Sequence, residues 1–395
     1  MTGGLMPTYN RIDIAFERGE GCWLFAEGGR RYLDFASGIA VNALGHCHPH
    51  VVQALEEQGR KLWHVSNLYR IPQSEELAQR LCANSFAEQV FFTNSGVEAV
   101  ECGIKVVRKY HDEAGQPQRW RIITCQGAFH GRTLTTLAAA GNEKYLAGFE
   151  PQVPGFDHTA FGNMNELRAA VTDETAAILV EPIQGEGGIR AADLDFMREM
   201  RKVCDEFGLL LFLDEVQCGM GRSGKLFAHQ WAEIEPDVVA TAKGIGSGFP
   251  LGACLATAKA AQGMTAGTHG STYGGNPLAT AIGNAVLDVV LGAGFLDQVT
   301  ARGRYLGGKL DALVAKHPTI YAEARGAGLL RGLRCHPPAG EMLTALREAG
   351  LLTVPAAENV LRIIPPLIVS EAEIDQAIDI LDRVAGETAE GMAAA

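Results

Sequence analysis

Between about residue 60 and residue 290 the chain repeats one pattern: short apolar runs at 90–93, 121–125, 177–180, 209–213, 238–242 and 251–256, with helical stretches between several of them, notably 97–110 and 194–207. Apolar runs this short and continuous read as strands buried on both faces. With helices between them they predict a mainly parallel sheet, covered on both sides. Such a sheet receives its ligands outside the carboxyl ends of its strands. After about 290 the pattern changes to a long helix over 294–317, a run at 321–334, a helix to 349, apolar runs at 351–354 and 360–364, and an amphipathic helix from 370. This reads as a smaller α/β domain. A chain of 395 residues exceeds one simple core. The expected division is an N-terminal segment, 1–60, packing with the small domain, a large domain over 61–290, and a small domain over 291–395. The small, polar stretch 386–395 is expected to fray.

Composition narrows the function. The net charge of −12 is spread without a basic block, which argues against nucleic acid and anionic membranes and for small-molecule substrates. No apolar run approaches the roughly 18 residues of a membrane span, and the N-terminus lacks a basic head followed by an apolar core. The nine cysteines are scattered without a CxxC pair, which fits a reducing cytoplasm. The 47 glycines suit an active site built from loops.

Chemistry gathers at the predicted strand ends. The run 209–213 leads into Asp214, a carboxylate at the edge of a buried sheet, where it needs a cationic partner or exposure as a strand-end acid or helix cap. The next run ends at Lys243, followed by a glycine-rich loop, so the two residues face one pocket. A lysine whose proton is easily lost forms a Schiff base, and a nearby carboxylate protonates a pyridine nitrogen. A structural Lys–Asp ion pair is the competing reading of these two residues alone. Asn94-Ser95-Gly96-Val97 turns from a strand into a helix and aims backbone amides at an anion, though the same residues also serve as an ordinary turn and cap. After another strand end, Phe129 can stack on a planar group and Arg132 can clamp a carboxylate.

Taken together, the landmarks resemble the class III, ornithine-type, pyridoxal-phosphate-dependent aminotransferases of fold type I over nearly the whole chain. They are Gly45-His-Cys-His-Pro49, Asn94-Ser-Gly96, Phe129-His-Gly-Arg132, the Glu181–Gly188 run, Asp214-Glu-Val-Gln217, Lys243, the Gly270–Pro277 run and the Asn359–Pro366 run. Within the family the pattern is nearest to the acetylornithine branch, through Gly38-Ile-Ala-Val-Asn42, the 62–68 run and Pro250-Leu-Gly-Ala253. The resemblance implies pyridoxal 5'-phosphate as cofactor, held by Lys243 as a Schiff base, with Lys243 also shuttling the proton. It implies Asp214 at the pyridinium nitrogen, Phe129 on the ring and Gln217 at the ring hydroxyl, with Glu215 and Val216 beside them. Ser95, Gly96 and Val97 are implied at the phosphate. Thr272 is implied at the phosphate of a partner subunit's cofactor, hence a homodimer. Arg132 and Arg362 would hold substrate carboxylates, Glu186 would neutralise Arg362, and Ser271 would lie near the substrate. The implied reaction moves the terminal amine of N2-acetylornithine to 2-oxoglutarate, giving N-acetylglutamate 5-semialdehyde and glutamate, as in arginine biosynthesis.

The chain departs from its relatives in places. Ornithine-specific members usually carry tyrosine where Ile39 stands, which favours a neutral acylated donor here. Ornithine, succinylornithine, succinyldiaminopimelate and 4-aminobutyrate remain alternative donors. Val97 and Val100 replace the usual residues of the Asn-Ser-Gly helix start, without loss of a backbone amide. A non-catalytic cofactor-binding protein would require Lys243 or Asp214 to be missing.

Three motifs are set aside. Gly219-Met-Gly221-Arg-Ser-Gly224 spells GxGxxG, but it does not open a long helix directly from a strand end. His46-Cys47-His48-Pro49-His50 lacks a second pair to complete a metal site, and reads as a loop with Pro49 opening a helix. Cys218 reads as packing. No metal is expected.

Overall fold

The computed structural model describes residues 4–394. Its large sheet has seven strands, in the spatial order Gln89–Thr93, Gly252–Ala256, Val238–Thr241, Leu210–Asp214, Thr175–Val180, Arg121–Cys125 and Phe156–Thr159. Gly252–Ala256 runs antiparallel to both neighbours, and the other strands share one direction. The six apolar runs predicted from the sequence each supply a strand. The seventh, Phe156–Thr159, reads FDHT and lies at an edge, where burial on both faces is not required and no apolar run betrays it.

Side chains alternate between two cores because successive residues of a strand point to opposite faces. Leu211 and Leu213 pack with Met197, Met200 and Val203 of the Leu194–Phe207 helix. Leu210 and Phe212 pack with Val100, Ile104 and Val107 of the Gly96–Glu113 helix. Val100 is thus a core residue. Gly103 lets the second helix approach: a Cβ there would lie 2.2 Å from Cζ of Phe212.

A separate core surrounds the Phe295–Lys316 helix and a four-stranded sheet ordered Tyr321–Ala327, Leu330–Cys335, Val360–Ile363, Val354–Ala356. The run expected over 321–334 is therefore a hairpin. Three N-terminal strands, Phe16–Glu20, Trp23–Ala26 and Arg31–Asp34, form a meander whose last strand pairs in parallel with Leu351–Leu352. The last helix, Glu371–Ala394, continues to the end of the described residues; its buried side chains end with Leu381, Val384 and Ala385, and 391–393, within the stretch expected to fray, are exposed. Residue 395 and residues 1–3 lie outside the described part of the chain.

Ser37, Gly38, Ile39 and Ala40 all have positive φ, at 47°, 60°, 64° and 63°. This left-handed turn costs on the order of 1–2 kcal/mol per non-glycine residue. Buried Asp34 holds its start, with Oδ1 accepting the amides of Ala36 at 3.0 Å and Ser37 at 2.9 Å, while Oδ2 meets Nε2 of His46 at 2.8 Å. The histidine run after it divides rather than gathers, since His50 reaches Asp288 instead, and Pro49 opens the Pro49–Gly59 helix.

Gly103→Ala gains roughly 1 kcal/mol of helix propensity, but the new methyl must displace Phe212 at an overpacking cost of about 1–3 kcal/mol. The expected net result is a lower midpoint of denaturant unfolding, partly restored by adding Phe212→Leu. An unchanged midpoint in the single variant contradicts the close approach.

Candidate active site

The strands deliver their chemistry to one edge. Ser95 to Val97 follow Gln89–Thr93, Phe129 to Arg132 follow Arg121–Cys125, Glu181 follows Thr175–Val180, Asp214 ends its own strand, and Lys243 follows Val238–Thr241. These residues, with Val216 and Gln217, line one cavity of about 420 Å³. The strand register sets Asp214 level with Ala240 on the neighbouring strand, so that the acid and Lys243 leave adjacent strands on the same side. The expected pocket exists, and the cavity joins ten of the predicted residues: Ser95, Gly96, Val97, Phe129, Arg132, Asp214, Val216, Gln217, Lys243 and the turn residue Asn94.

The partner of Asp214 is His130. Asp214 is 3% exposed, and its Oδ2 lies 2.8 Å from Nδ1 of the fully buried His130, while Oδ1 accepts the Val216 amide at 3.0 Å. Burial opposes charge on the imidazole, but the hydrogen bond and charge of Asp214, with Glu181 behind, outweigh it and hold His130 above the ordinary histidine value. A Lys243–Asp214 ion pair does not form among the described residues. Lys243 is half-buried, at φ 47°, a conformation uncommon for a residue with a side chain. Burial pulls its ammonium below the usual lysine range, against the pull of Glu186, Asp214 and Glu181.

Glu181 is a site residue to which the sequence assigned no role. Its Oε1 accepts the Phe129 amide at 2.8 Å and its Oε2 the Gly185 amide at 3.4 Å, tying together two of the loops that build the pocket. Burial first, and then the charge of Asp214, push its carboxyl up to about 7. The only sequence signals for His130 and Glu181 are their positions at strand ends inside the quoted motifs.

The turn before the Gly96–Glu113 helix forms an anion cradle. Ser95 caps the helix by accepting the Glu98 amide at 3.4 Å, and the Glu98 carboxylate accepts the Asn94 amide at 2.6 Å. Gly96 and Val97 line the cavity at the helix start, where amides lack intrahelical partners and the dipole favours an anion. Glycine is required at 96, since a Cβ would lie 2.6 Å from Cγ1 of Val216.

Around this pocket the remaining predicted residues divide. Arg362, 2% exposed, forks onto Glu186, donating through Nη1 to Oε1 and through Nη2 to Oε2 at 3.2 Å, with a further bond to the Pro355 carbonyl at 2.8 Å. Arg132 is exposed and stacks 3.8 Å over the Tyr145 ring. Ser271 and exposed Thr272 do not line the cavity of Lys243; they line another of about 400 Å³ with Asn94, Glu98 and Tyr273. Glu215 is corrected: its carboxylate turns away to accept the amides of Ala228 at 2.5 Å and His229 at 2.9 Å and to meet the His229 ring at 2.7 Å. The glycine run 219–224 is followed only by the short turn Ala228–Trp231, and burial raises the Cys218 thiol well above its ordinary value, which suits packing.

The raised Glu181 value gives a pH signature. A carboxyl that holds its proton more tightly folded than unfolded stabilises the fold below the unfolded value near 4.5 and loses that contribution as pH rises through about 7. Between pH 5 and pH 7.5 the wild type should therefore lose stability relative to Glu181→Gln, on the order of 2 kcal/mol at about 1.4 kcal/mol per unit. Parallel stability–pH curves for the two proteins would remove the protonated carboxyl from this pocket.

The comparisons agree with this geometry. The family described as aminotransferase class-III matches residues 6–385. A Brucella melitensis acetylornithine aminotransferase is 59% identical over 95% of this chain and 93% of its own, and a Mesorhizobium japonicum acetylornithine aminotransferase is 55% identical over 99% and 98%. Among solved structures, the N-acetylornithine aminotransferase of Stenotrophomonas maltophilia is 36% identical with a TM-score of 0.84, covering 98% of both chains. The ornithine aminotransferase of Toxoplasma gondii is 29% identical with a TM-score of 0.94, covering 98% of this chain and 94% of its own. A second Toxoplasma gondii structure is described with PLP at its active site. The sheet edge with Lys243 and Asp214 and the extent of these matches lead to one conclusion: the chain belongs to the class-III aminotransferases.

Proposed function

We propose that this enzyme transfers the terminal amino group of N2-acetylornithine to 2-oxoglutarate, giving N-acetylglutamate 5-semialdehyde and glutamate, with pyridoxal 5'-phosphate as cofactor. The observation that carries the reading is the single cavity shared by Lys243, the His130–Asp214 pair and the amide cradle at Gly96 and Val97. The residues fit the cofactor: the cradle suits a phosphate, and buried Gln217 Oε1 has no partner, which leaves its amide available to a polar group in the cavity. When bound, pyridoxal phosphate supplies the electron sink that stabilises the carbanion beside the transferred nitrogen.

The chain's own residues supply the rest. Lys243 would hold the cofactor through Nζ, and with the amine free it would hold and move the proton at the reacting carbon. Its lowered basicity suits a base working near neutral pH. Asp214, oriented by His130, would hold the pyridine nitrogen, and Phe129 would stack on the ring. Arg132 binds a substrate carboxylate. Glu186 neutralises Arg362 while the acetylated donor is bound, and turning away frees the guanidinium for 2-oxoglutarate. Ile39, 38% exposed beside cavity-lining Val41, offers an apolar surface to the acylated donor.

The same reading makes the enzyme a homodimer in which Thr272 serves the partner's cofactor. Exposed Trp63, Leu68, Tyr69 and Tyr273 support an apolar contact there. The N-terminal segment 1–60, the large domain 61–290 and the small domain 291–395 follow from the two main cores and the strand pairing of Leu351–Leu352. Nine unpaired cysteines support a cytoplasmic setting, and no single helix is long and apolar enough to cross a membrane.

Steady-state kinetics test the donor. N2-acetylornithine should give a higher kcat/KM than ornithine, succinylornithine, succinyldiaminopimelate or 4-aminobutyrate. A wide margin in favour of free ornithine overturns the donor assignment. Ile39→Tyr should move the ornithine-to-acetylornithine ratio toward ornithine by about tenfold, near 1.4 kcal/mol. Lys243→Ala should abolish transamination and the visible absorbance that borohydride bleaches; a persisting borohydride-sensitive band places the anchor elsewhere.

A further inference from the structure

A second cavity, of about 410 Å³, lies in the seam between the two main cores and shares no lining residue with the cavity of Lys243. One wall is apolar, built from Ile183, Leu194, Met197 and Trp231; the opposite wall comes from the Phe295–Lys316 helix and the turn after Tyr321–Ala327. The indole N–H of Trp231 is spent on the Ser223 carbonyl at 3.1 Å, so this residue offers the cavity only its ring.

The charge of the seam is unbalanced. In a chain of net charge −12, Arg304 and Arg331 line this cavity and Arg222 lies behind its lining residue Ser223, and among the described residues none of the three has a carboxylate within ion-pair distance. Arg222 is 2% exposed and donates through Nη1 to the carbonyls of Leu329 and Pro365, leaving buried Nη2 without a partner. Burial pushes its guanidinium down to about 10. Arg331 spends its donors on the carbonyls of Gly326, Gly328 and Gly303. Arg304 is exposed at the cavity with its charge unspent. Next to Arg222, Ser223 lines the cavity at 3% exposure, and its Oγ is buried without a hydrogen-bond partner.

An unsatisfied buried hydroxyl is costly, and Ser223 Oγ on the same lining as the unpaired, exposed charge of Arg304 points to an anionic group. We propose that the seam cavity binds a small amphiphilic carboxylate, its apolar body against Leu194, Met197 and Trp231 and its anionic end toward Arg304 and Ser223. Such a ligand touches both cores at once and ties them together at a site apart from the transamination chemistry.

The test is calorimetric titration of the holoenzyme with hexanoate, with hexanol as the uncharged control. Hexanoate should bind saturably and hexanol at least about tenfold more weakly, the factor expected for one lost charge contact of about 1.4 kcal/mol. Arg304→Ala and Arg304→Glu, both on an exposed helix surface, should weaken hexanoate by about tenfold or more while keeping the cofactor absorbance that reports an intact fold. Arg132→Ala should leave hexanoate binding intact. Equal affinity for hexanol, unchanged affinity in both Arg304 variants, or loss of binding in Arg132→Ala would each overturn the proposal, the last because it assigns the ligand to the carboxylate clamp of the active site.

Discussion

The buried contact between Asp214 and His130 organises this molecule. A carboxylate 3% exposed at the end of an all-apolar strand is tolerated only with its hydrogen-bonding capacity filled, and here the imidazole and the Val216 amide fill it from two sides. The consequences spread outward. His130 brings the 129–132 loop over the sheet edge, which places Phe129 and Arg132. The Val216 bond fixes the 214–217 turn, and Val216 in turn packs so closely on the start of the Gly96–Glu113 helix that only glycine fits at 96. One carboxyl on a buried edge thus fixes Phe129, the turn at Gly96 and Asp214 itself in one frame.

Lys243 stands in this frame without being paired to it. Three carboxylates, Glu186, Asp214 and Glu181, favour its charged form, while desolvation and Arg362 disfavour it, and the net effect lowers its basicity. Because Asp214 is already spent on His130 and Glu186 on Arg362, neither forms an ion pair that would hold the lysine protonated. Burial, with neither acid paired to the amine, is therefore what lowers its basicity.

Much of this was legible in the sequence. The strands that end in Asp214 and Lys243 are buried on both faces, so their apolar runs announce them, and the residue after each run marks the ligand-facing edge. Phe156–Thr159 was hidden because an edge strand carries no such run. The partnership of Asp214 with His130 was hidden because it joins residues from strands that are not neighbours. Glu215 misled for the opposite reason: adjacent to Asp214 in sequence, it points to the other side and serves the Ala228–Trp231 turn. The apolar face of the last helix was legible as far as Val384 and Ala385, which pack into the second core. The seam joins Ser223 to Arg304 and Arg331, residues from separate elements, and no local pattern could join them.

Specificity rests on a smaller part of the structure than the fold does. The Toxoplasma gondii ornithine aminotransferase superposes with a TM-score of 0.94 at 29% identity, whereas the Stenotrophomonas maltophilia N-acetylornithine enzyme gives 0.84 at 36%. Backbone likeness therefore does not sort the donors. Ile39, two residues before cavity-lining Val41, sits on a left-handed turn that a β-branched residue adopts at a cost. The turn persists because Asp34, buried and bonded to the amides of Ala36 and Ser37 and to His46, fixes its start, and because the strand carrying Asp34 is itself paired with Leu351–Leu352. The turn that carries Ile39 is thus held by the N-terminal strands and braced by the C-terminal part of the chain, while Lys243 and Asp214 belong to the large sheet. A side-chain change at Ile39 therefore leaves the charges around Lys243 in place.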